Sequence, residues 1–369
     1  MNRWKSTAGS RMLHAMTEAI AGRADDAPLP AAEMLPRGGR VLIVRLSALG
    51  DVLFALETVA ALRRDRPDVT IDFLVEDRFA KLLEGHPQID RVIIYPRKRR
   101  SRIPGALWRL RRTRYDVALD LHGIQKSAMH LLACRARAKV GPAPPTSREG
   151  AALSYSKVVR IDPPHRADVG HALLAAIGLS GEPCAPTIAT RPPAPELLAD
   201  LPRPLVMLHP GTSSFAAFKR WPAERFAELA TRLEARGLGV VVGFGPGERA
   251  LAEPALTAAP KSRAVDGAVL GLAGLAGVMA ECEVVVAADT GPLHLAAVVG
   301  ARCVAVFGPK DPVRYAPRAH AERRHEILFH DVPCRPCKRR TCASPQCVLG
   351  VDVDAVEQAV LRQLGAPTK

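Results

Sequence analysis

The sequence of 369 residues contains few aromatic residues and no long hydrophobic segment. Phe, Trp and Tyr together make up 4% of the chain, too few for a surface that stacks the bases of single-stranded nucleic acid. The longest uncharged apolar stretch, residues 267–280, has 14 residues including four glycines, whereas a membrane-spanning helix needs about 20 apolar residues. The first 36 residues lack the continuous apolar segment of a secretion signal. We therefore expect a soluble or surface-bound protein with no nucleic-acid partner, whose residues 1–36 form a poorly ordered, basic extension.

The remaining composition is typical of a globular protein with an anionic partner. Hydrophobic residues make up 48% of the chain and charged residues 24%, so the chain is able to bury a sizeable core. Its length favours two domains, because single cores rarely grow beyond about 250–300 residues. The 52 basic and 37 acidic residues give a net charge of +15. This excess predicts a phosphate-bearing partner, in a nucleotide, an anionic lipid or nucleic acid.

Short apolar runs alternate with helical patterns in the first half of the chain. This alternation is typical of a parallel sheet with helices on both faces. Strands are predicted at residues 41–46, 69–75, 92–95 and 117–121, and helices at residues 52–64, 78–85 and 125–134.

A second half repeats the pattern after a proline-rich stretch, residues 181–204, which is predicted to be a linker. We therefore predict an α/β protein with two Rossmann-like, doubly wound domains, residues 37–180 and 205–350, facing a central cleft. A C-terminal helix and tail, residues 351–369, follow. The strands of the second half are predicted at residues 205–208, 239–244, 284–287 and 303–307, and the helices at residues 223–236, 248–253, 272–280, 293–299 and 353–364.

One loop of the second half has the composition of an anion site. Gly211, Thr212 and Ser213 directly follow a predicted strand, and Lys219 is close behind them. Glycine lets backbone N–H groups approach an anion, and the hydroxyls donate to it. An ordinary strand-to-helix loop is the alternative for this segment taken alone.

A second loop places Asp289 at a strand end, followed by Thr290 and Gly291 at a helix start. It offers an acceptor for sugar hydroxyls beside donors for phosphate. His294 lies on the first turn of that helix, where it either binds the ligand or packs locally. Glu248 also begins a predicted helix, where it either receives ribose hydroxyls or compensates the helix dipole.

Asp51 follows Gly50 where the first predicted strand ends in the first half. Two roles are open for it. One is the N-cap of a helix beginning at Val52. The other is a general base that deprotonates an acceptor hydroxyl, which needs one carboxylate facing a cleft.

An ordered series of segments over residues 40–350 resembles glycosyltransferase family 9, the ADP-heptose:lipopolysaccharide heptosyltransferases. The resemblance implies a GT-B fold and an inverting, metal-independent transfer of heptose from ADP-heptose to the inner core of lipopolysaccharide. The matching segments are residues 41–45, Leu49-Gly50-Asp51, Asp120 with Gly123 and residues 126–128, His209-Pro210-Gly211, Lys219 with Trp221-Pro222, Glu248, and Asp289-Thr290-Gly291 with His294.

The resemblance also implies roles for single residues. Asp51 matches the general base, and Glu248 matches the residue near the nucleoside ribose. The residues that match the diphosphate and donor-sugar pocket are Thr212, Ser213, Lys219, Asp289, Thr290, Gly291 and His294.

On the acceptor side, the resemblance implies contacts from His122, Lys126 and Arg148. His122 stands where many relatives have glutamine, which leaves its contact open. Residues 146–149 are similar to a segment of the enzymes that add the first heptose, whereas the cysteine cluster is similar to those that add the second. The position of the added sugar therefore stays open.

Four of the eight cysteines are closely spaced near the end of the chain: Cys334, Cys337, Cys342 and Cys347. Their spacing fits a structural zinc site, and four reduced thiols in a compact loop are the alternative. No cofactor is expected to be required for catalysis.

A basic run covers residues 97–114, where nine of eighteen residues are Lys or Arg and none is acidic. A solvated helix and loop is one interpretation, but such a run repels itself unless an anion meets it. With the resemblance, it predicts contact with a lipid A-Kdo type acceptor and with an anionic inner-membrane surface. The expected location is cytoplasmic and peripheral on the inner membrane. A GT-B transferase for another sugar or acceptor, a sugar-nucleotide epimerase and a basic nucleic-acid-binding protein are the alternatives.

Overall fold

A computed structural model describes residues 31–161, 165–319, 324–339 and 341–365. The chain divides into two compact units, residues 1–187 and 188–369, called here the N-terminal and C-terminal units. Most of the predicted N-terminal extension, residues 1–30, lies outside the described part. Its end is ordered, since Ala31–Met34 form a short helix and Leu35 is buried.

The N-terminal unit contains a six-stranded parallel sheet with the order β3-β2-β1-β4-β5-β6. The central strands are apolar runs buried on both faces, as expected where helices cover both sides of a sheet. The strands are β1 (Arg40–Val44), β2 (Thr70–Glu76), β3 (Arg91–Tyr95), β4 (Arg114–Asp120), β5 (Arg135–Pro142) and β6 (Lys157–Val159).

Helices connect these strands. Helix Leu49–Asp65 is buried along most of its length and ends before Pro67, because a proline disfavours the helical conformation of the residue before it. The other helices are Asp77–Leu83, Ile103–Arg112, Gln125–Ala133 and Asp168–Ala176, with 3₁₀ turns at Arg100–Arg102 and Ala151–Ser154.

The C-terminal unit repeats the architecture with a second six-stranded sheet, ordered β9-β8-β7-β10-β11-β12. All of its neighbouring strands pair in parallel. The strands are β7 (Leu205–His209), β8 (Gly239–Phe244), β9 (Arg263–Asp266), β10 (Val284–Ala288), β11 (Arg302–Phe307) and β12 (Glu326–Phe329).

The last helix of the C-terminal unit, Val353–Leu364, contributes Val356, Ala359 and Val360 to the core of that unit. It begins at Asp352, whose carboxylate accepts from Ala355 N at 2.7 Å as an N-cap. The other helices are Ala223–Ala235, Arg249–Ala258, Gly267–Ala280, Gly291–Val298, Pro312–Tyr315 and Gln346–Leu349, with 3₁₀ turns at Pro195–Leu197 and Ser214–Lys219.

The predicted doubly wound α/β architecture is confirmed in each unit. Numbered within its own unit, each sheet has the order 3-2-1-4-5-6 of a dinucleotide-binding fold. The chain leaves β1 and β4, and likewise β7 and β10, toward opposite sides of the sheet. The carboxyl ends of these two strand pairs are therefore the topological switch points, where open α/β sheets bind ligands.

The predicted linker is packed rather than free. At its start, the Ser180 hydroxyl donates to Asp65 at 2.6 Å, within the N-terminal unit. From Arg191 onward the segment belongs to the C-terminal unit, because Arg191 N donates to Ala273 O at 2.9 Å. The approach is so close that a Cβ on Gly277 would lie 1.9 Å from Arg191 O. The division between the units, after Thr187, falls within residues 181–204.

Among the described residues, no helix is both long enough and apolar enough to cross a bilayer.

Candidate active site

The switch point of the N-terminal unit brings together the loops after β1 and β4. Val44 pairs with Asp120 at the ends of these strands. The β1 loop leads into helix Leu49–Asp65, and Asp51 is its third residue. The N-cap alternative for Asp51 is therefore wrong: the helix begins before it, and its carboxylate accepts instead from Ala48 N at 3.3 Å.

Two arginines hold the Asp51 carboxylate. Arg45 Nη2 lies 2.5 Å from Asp51 Oδ1, and Arg166 Nε lies 3.4 Å from the same oxygen. Arg45 is buried and also donates to the carbonyl oxygen of Leu121. Asp51 keeps 28% of its side chain exposed, so a hydroxyl is able to reach the carboxylate.

The two arginines decide the protonation of Asp51. Burial raises the pKa of the Asp51 carboxyl, but the charges of Arg45 and Arg166 outweigh burial and hold its pKa well below the usual range. Asp51 is therefore ionised throughout the physiological range. Burial, followed by the charge of Arg45, lowers the pKa of His122 to about 2, so His122 is a neutral member of the same site.

Asp120 shapes the loop that presents His122. The buried Asp120 carboxylate accepts from His122 N at 2.9 Å, from the Ser127 hydroxyl at 2.7 Å and from the Tyr155 hydroxyl at 2.8 Å. Its lone pairs are thus used within the fold. Asp120 holds the loop in place and is not available as a second base.

The predicted acceptor residue Lys126 is paired inside the unit. Lys126 Nζ lies 2.6 Å from Oε1 of the buried Glu76, whose Oε2 lies 2.8 Å from Arg78 Nε and 3.8 Å from Arg97 Nε. Three cations thus surround one carboxylate, and the cluster keeps a net positive charge at the carboxyl ends of β2 and β4. The third predicted acceptor residue, Arg148, is exposed beside this edge, and its N–H donates to Gly123 O at 2.8 Å.

The switch point of the C-terminal unit joins the loops after β7 and β10, where His209 pairs with Ala287. Lys219 donates to the Asp289 carboxylate and to the Asp289 carbonyl oxygen, the latter at 3.3 Å. The side chain of Lys219 is 16% exposed and that of Asp289 is 7% exposed. The fold therefore joins these two predicted donor residues in one partly buried ion pair.

Thr212 was predicted to donate its hydroxyl to an anion, but in the structure that hydroxyl already has partners within the protein. It is buried, its Oγ1 accepts from Arg220 Nε at 2.8 Å, and its hydroxyl donates to Ala216 O at 3.2 Å. The hydroxyl is thus engaged in shaping the loop. The neighbouring Ser213 is exposed and is the better placed to reach a ligand.

Glu248 folds back across the loop after β8. Its Oε2 accepts from Gly245 N at 3.0 Å, and a Cβ on Gly211 would lie 2.0 Å from the same oxygen. Any side chain at position 211 would therefore displace the Glu248 carboxylate from this position, so Gly211 lets Glu248 lie across the loop. The buried His209 lies beside this glycine, and burial lowers its pKa to about 4.

Helix Gly291–Val298 begins without a side-chain cap. Thr290 is extended at the cap position, and its hydroxyl donates to Ala288 O at 3.1 Å instead of accepting from the helix. The N–H groups of Gly291 and Leu293, on either side of Pro292, which has none, are thus left without a side-chain cap, and an anion suits them. His294 Nε2 lies on the inner side of the helix, 3.9 Å from Asp289 Oδ1.

The four clustered cysteines differ in exposure: Cys334 and Cys342 are exposed, Cys337 is half-buried and Cys347 is buried. Burial, together with the neighbouring Cys334, raises the pKa of the Cys347 thiol. Within the described ranges, no three His, Cys, Asp or Glu side chains are gathered closely enough to hold a metal ion. The zinc site stays a prediction that metal analysis must decide.

The sequence analysis did not identify Arg166 or Glu76 as site residues. Arg166 comes next to Asp51 only through folding, since 115 positions separate them. Glu76 could have been identified from the sequence, because it is a charged residue at the end of the apolar run that forms β2. A charge in that position points into the ligand edge of the sheet.

Comparison with known proteins agrees with this architecture. The sequence pattern of glycosyltransferase family 9 (heptosyltransferase) matches residues 106–348. Lipopolysaccharide heptosyltransferase 1 of Pseudomonas aeruginosa is 30% identical over 325 residues, covering 82% of this chain and 87% of the relative.

Two solved structures are similar. E. coli heptosyltransferase WaaC with ADP superposes with a TM-score of 0.70 at 25% identity, covering 88% of this chain and 99% of the other. A family 9 glycosyltransferase from Veillonella parvula has a TM-score of 0.76 at 22% identity, covering 89% and 98%, and supports the fold alone. Because the family pattern matches more than half of the chain and a relative is 30% identical over most of it, this chain belongs to glycosyltransferase family 9, the heptosyltransferases.

Proposed function

We propose that this protein transfers a heptose from ADP-heptose to the inner core of lipopolysaccharide, with inversion at the sugar carbon. The observation that carries the proposal is the ionised, partly exposed Asp51 carboxylate at the switch point of a family 9 fold. A single carboxylate of this kind suits deprotonation of one acceptor hydroxyl. The 30% identity to a relative named heptosyltransferase 1 favours the first heptose.

The C-terminal unit holds the donor in this proposal. The Ser213 hydroxyl, the Lys219 ammonium and the uncapped start of helix Gly291–Val298 bind the diphosphate, and Glu248 receives the ribose hydroxyls. Lys219 pairs with Asp289 before the donor arrives, which fixes the ammonium near the position that the diphosphate will occupy. Thr212 acts through the shape of its loop.

The leaving ADP gains negative charge as the bond from sugar to phosphate breaks. Lys219 and the helix start stabilise that charge most in the transition state, which increases turnover more than it tightens ground-state binding. A fixed cation and oriented N–H groups suffice for this role, so we propose that the transfer needs no metal ion. A zinc ion bound by the four cysteines would stabilise their loop and take no part in the reaction.

The N-terminal unit holds the acceptor. Asp51 accepts the proton of the attacking hydroxyl, and Arg45 and Arg166 fix the carboxylate. A carboxylate with so low a pKa is a weak base toward a neutral hydroxyl. Proton transfer is therefore favourable only after the hydroxyl oxygen has begun to bond to the sugar, since the bond makes the hydroxyl strongly acidic.

The acceptor in this proposal is a lipid A-Kdo type glycolipid. Its phosphates and carboxylates match the positive charge around Lys126 and Arg148 and along residues 97–114. A lipid-anchored acceptor requires the enzyme to work on the anionic, cytoplasmic surface of the inner membrane. The proposed location is therefore peripheral on that surface.

Mass spectrometry of the lipopolysaccharide core tests the reaction. Cells lacking this protein should lose one heptose together with all sugars attached beyond it, and the truncation point shows whether the first or second heptose is missing. The wild-type gene should restore the core, and Asp51→Asn should not. An intact core in the deletion strain would contradict heptose transfer and favour another sugar or acceptor.

A further inference from the structure

The N-terminal unit carries four exposed apolar side chains on adjacent elements, Trp108, Met129, Leu132 and Leu153, called here the apolar patch. These side chains are between 52% and 66% exposed. They come from three neighbouring elements, since helix Gln125–Ala133 packs beside both helix Ile103–Arg112 and the turn Ala151–Ser154. Single exposed apolar residues are ordinary, but a group on adjacent elements marks an interaction surface.

Helical spacing places the patch on the outer side of its elements. Ala106 and Leu110 form the buried face of helix Ile103–Arg112, and Trp108 projects from the opposite face. In helix Gln125–Ala133, Ala128 and Leu131 are buried, whereas Met129 and Leu132 are exposed one turn apart. The patch therefore lies on the outer side of these helices, away from their buried faces.

Basic residues border the patch. Arg109, Arg111 and Arg112 are exposed on the same helix as Trp108, and the Arg112 guanidinium lies 4.5 Å from the Trp108 ring centroid. Residues 97–114 contain no acidic residue that would neutralise them. Tryptophan with an apolar body and a polar N–H, next to arginines, suits the boundary between lipid headgroups and acyl chains.

The helix that carries Met129 and Leu132 starts at the ligand edge of the sheet. Helix Gln125–Ala133 follows the Asp120 loop at the carboxyl end of β4, and Lys126 on its first turn binds Glu76 at the end of β2. A surface that docks at Met129 thus lies within about one helical turn of Lys126, one of the predicted acceptor residues. That position suits an acceptor whose sugars project from a membrane.

We propose that the apolar patch inserts into an anionic lipid surface, with Arg109, Arg111 and Arg112 binding the headgroups around it. The inference rests on the proposed function in one respect, since it assigns the membrane contact of that function to one face of the N-terminal unit. It excludes two simpler arrangements: binding by charge alone, and a second copy of the chain as the occupant of the patch.

Vesicle flotation of the full chain tests the proposal without donor or acceptor. The protein should float with phosphatidylcholine vesicles that contain phosphatidylglycerol and should not float with phosphatidylcholine alone. The double variant Trp108→Ser/Leu132→Ser should lose about tenfold in partitioning for each apolar side chain. Val269→Ser/Val313→Ser, at exposed apolar positions of the C-terminal unit, is the matched control and should float like the wild type.

Charge variants and a soluble acceptor complete the test. Arg109→Gln/Arg111→Gln should weaken flotation about fivefold for each arginine, whereas Arg203→Gln in the C-terminal unit should not. Transfer to a deacylated, water-soluble acceptor should be unchanged in the single variant Leu132→Ser, which lies outside residues 97–114. If the wild type binds vesicles as expected but transfers no heptose to the soluble acceptor, the proposed function is contradicted. The assignment of the apolar patch to membrane binding would still stand.

Two outcomes would overturn the membrane assignment. The first is flotation of Trp108→Ser/Leu132→Ser at wild-type strength, which would reduce the contact to charge alone. The second is a dimer in analytical ultracentrifugation that the same double variant abolishes, which would make a second copy the occupant. Circular dichroism of the variants at matched concentration shows whether the fold is retained.

Discussion

The two units share one strand order but present opposite chemistry at their switch points. In the N-terminal unit a partly exposed carboxylate, Asp51, is held by two arginines. In the C-terminal unit a partly buried ammonium, Lys219, is held by a carboxylate, next to an uncapped helix start. The same backbone frame thus presents a partly exposed carboxylate in one unit and a cation beside a helix start in the other. Fold alone would not have distinguished them, because the difference lies in side chains on the loops.

The strongest test of the comparison is Asp51→Asn. We expect transfer to fall by about 10² to 10⁴, the usual range for loss of a general base, while ADP affinity stays unchanged. Turnover at saturating donor and acceptor measures the first effect, and calorimetry measures the second. Asp65→Asn, at the other end of the same helix, is the control and should keep activity. Near-normal turnover of Asp51→Asn would leave Asp51 with a structural role only.

Lys219→Ala tests the role of the ammonium at the switch point of the C-terminal unit. Turnover should fall by about 10² to 10³, because the developing charge on ADP loses a fixed donor. ADP should bind more weakly, and acceptor binding without donor should be nearly unchanged. The exposed Lys261→Ala in the same unit is the control. Calorimetric titrations of ADP and acceptor separate the effects, and lost acceptor binding with intact ADP affinity would move Lys219 to the acceptor side.

His209 should make the C-terminal unit sensitive to acid. Burial lowers the pKa of His209 to about 4 in the folded state. In the unfolded state the imidazole binds a proton at about pH 6.5. Its stabilising contribution is complete above about pH 6.5 and is lost as the pH falls toward 4, by up to about 1.4 kcal/mol per pH unit. Urea unfolding at several pH values measures the slope. In His209→Asn the slope should be smaller, and an unchanged slope would refute the assignment.

Arg166→Gln measures how much Arg166 contributes to the low pKa of the Asp51 carboxyl. Removing one of the two arginine charges should raise the pKa of the Asp51 carboxyl by about one unit, with Arg45 still holding it down. Carboxyl-carbon NMR of the labelled protein measures the titration. Arg137→Gln, an exposed arginine on β5, should leave it unchanged. A pKa unaffected by Arg166→Gln would mean that Arg45 alone sets the charge state.

The smallest effect on chemistry is expected at the cysteine cluster. If the cluster binds zinc, anaerobically purified protein should contain about one equivalent. Cys337→Ser should then lower the thermal midpoint while leaving the turnover of the folded fraction unchanged. Cys184→Ser, outside the cluster, is the control. Metal analysis that finds none would exclude the zinc site and leave reduced thiols.

The buried strands were predictable from sequence because apolar runs mark them. Predicted residues 239–244 coincide with β8, and residues 353–364 coincide with the last helix. The edge strands β6, β9 and β12 and the strand next to an edge, β5, were missed. β5 contains Arg135, Arg137 and Lys139, and such half-exposed strands lack the continuous apolar signal.

The placement of candidate site residues was predictable where a residue lies in the loop or helix start after a buried strand, as it does for Asp51, Asp289 and Glu248, whose roles stay predictions. It was not predictable where tertiary contacts decide the partner. Lys126 turned out to pair with Glu76, and the Thr212 hydroxyl with Arg220. Neither pairing has a local signature, because each joins side chains that the loops bring together only after folding.

The last helix has a consequence for the order in which the chain matures during synthesis. Trp221, two residues after Lys219, donates its indole N–H to Val351 O at 2.8 Å, and helix Val353–Leu364 closes the core beneath it. The last described strand of the N-terminal unit, β6, ends at Val159. The loop that carries Lys219, by contrast, gains its support only when the final helix emerges. We therefore expect the N-terminal unit to fold first during synthesis, and we expect the loop with Lys219 to become ordered only when translation is almost complete.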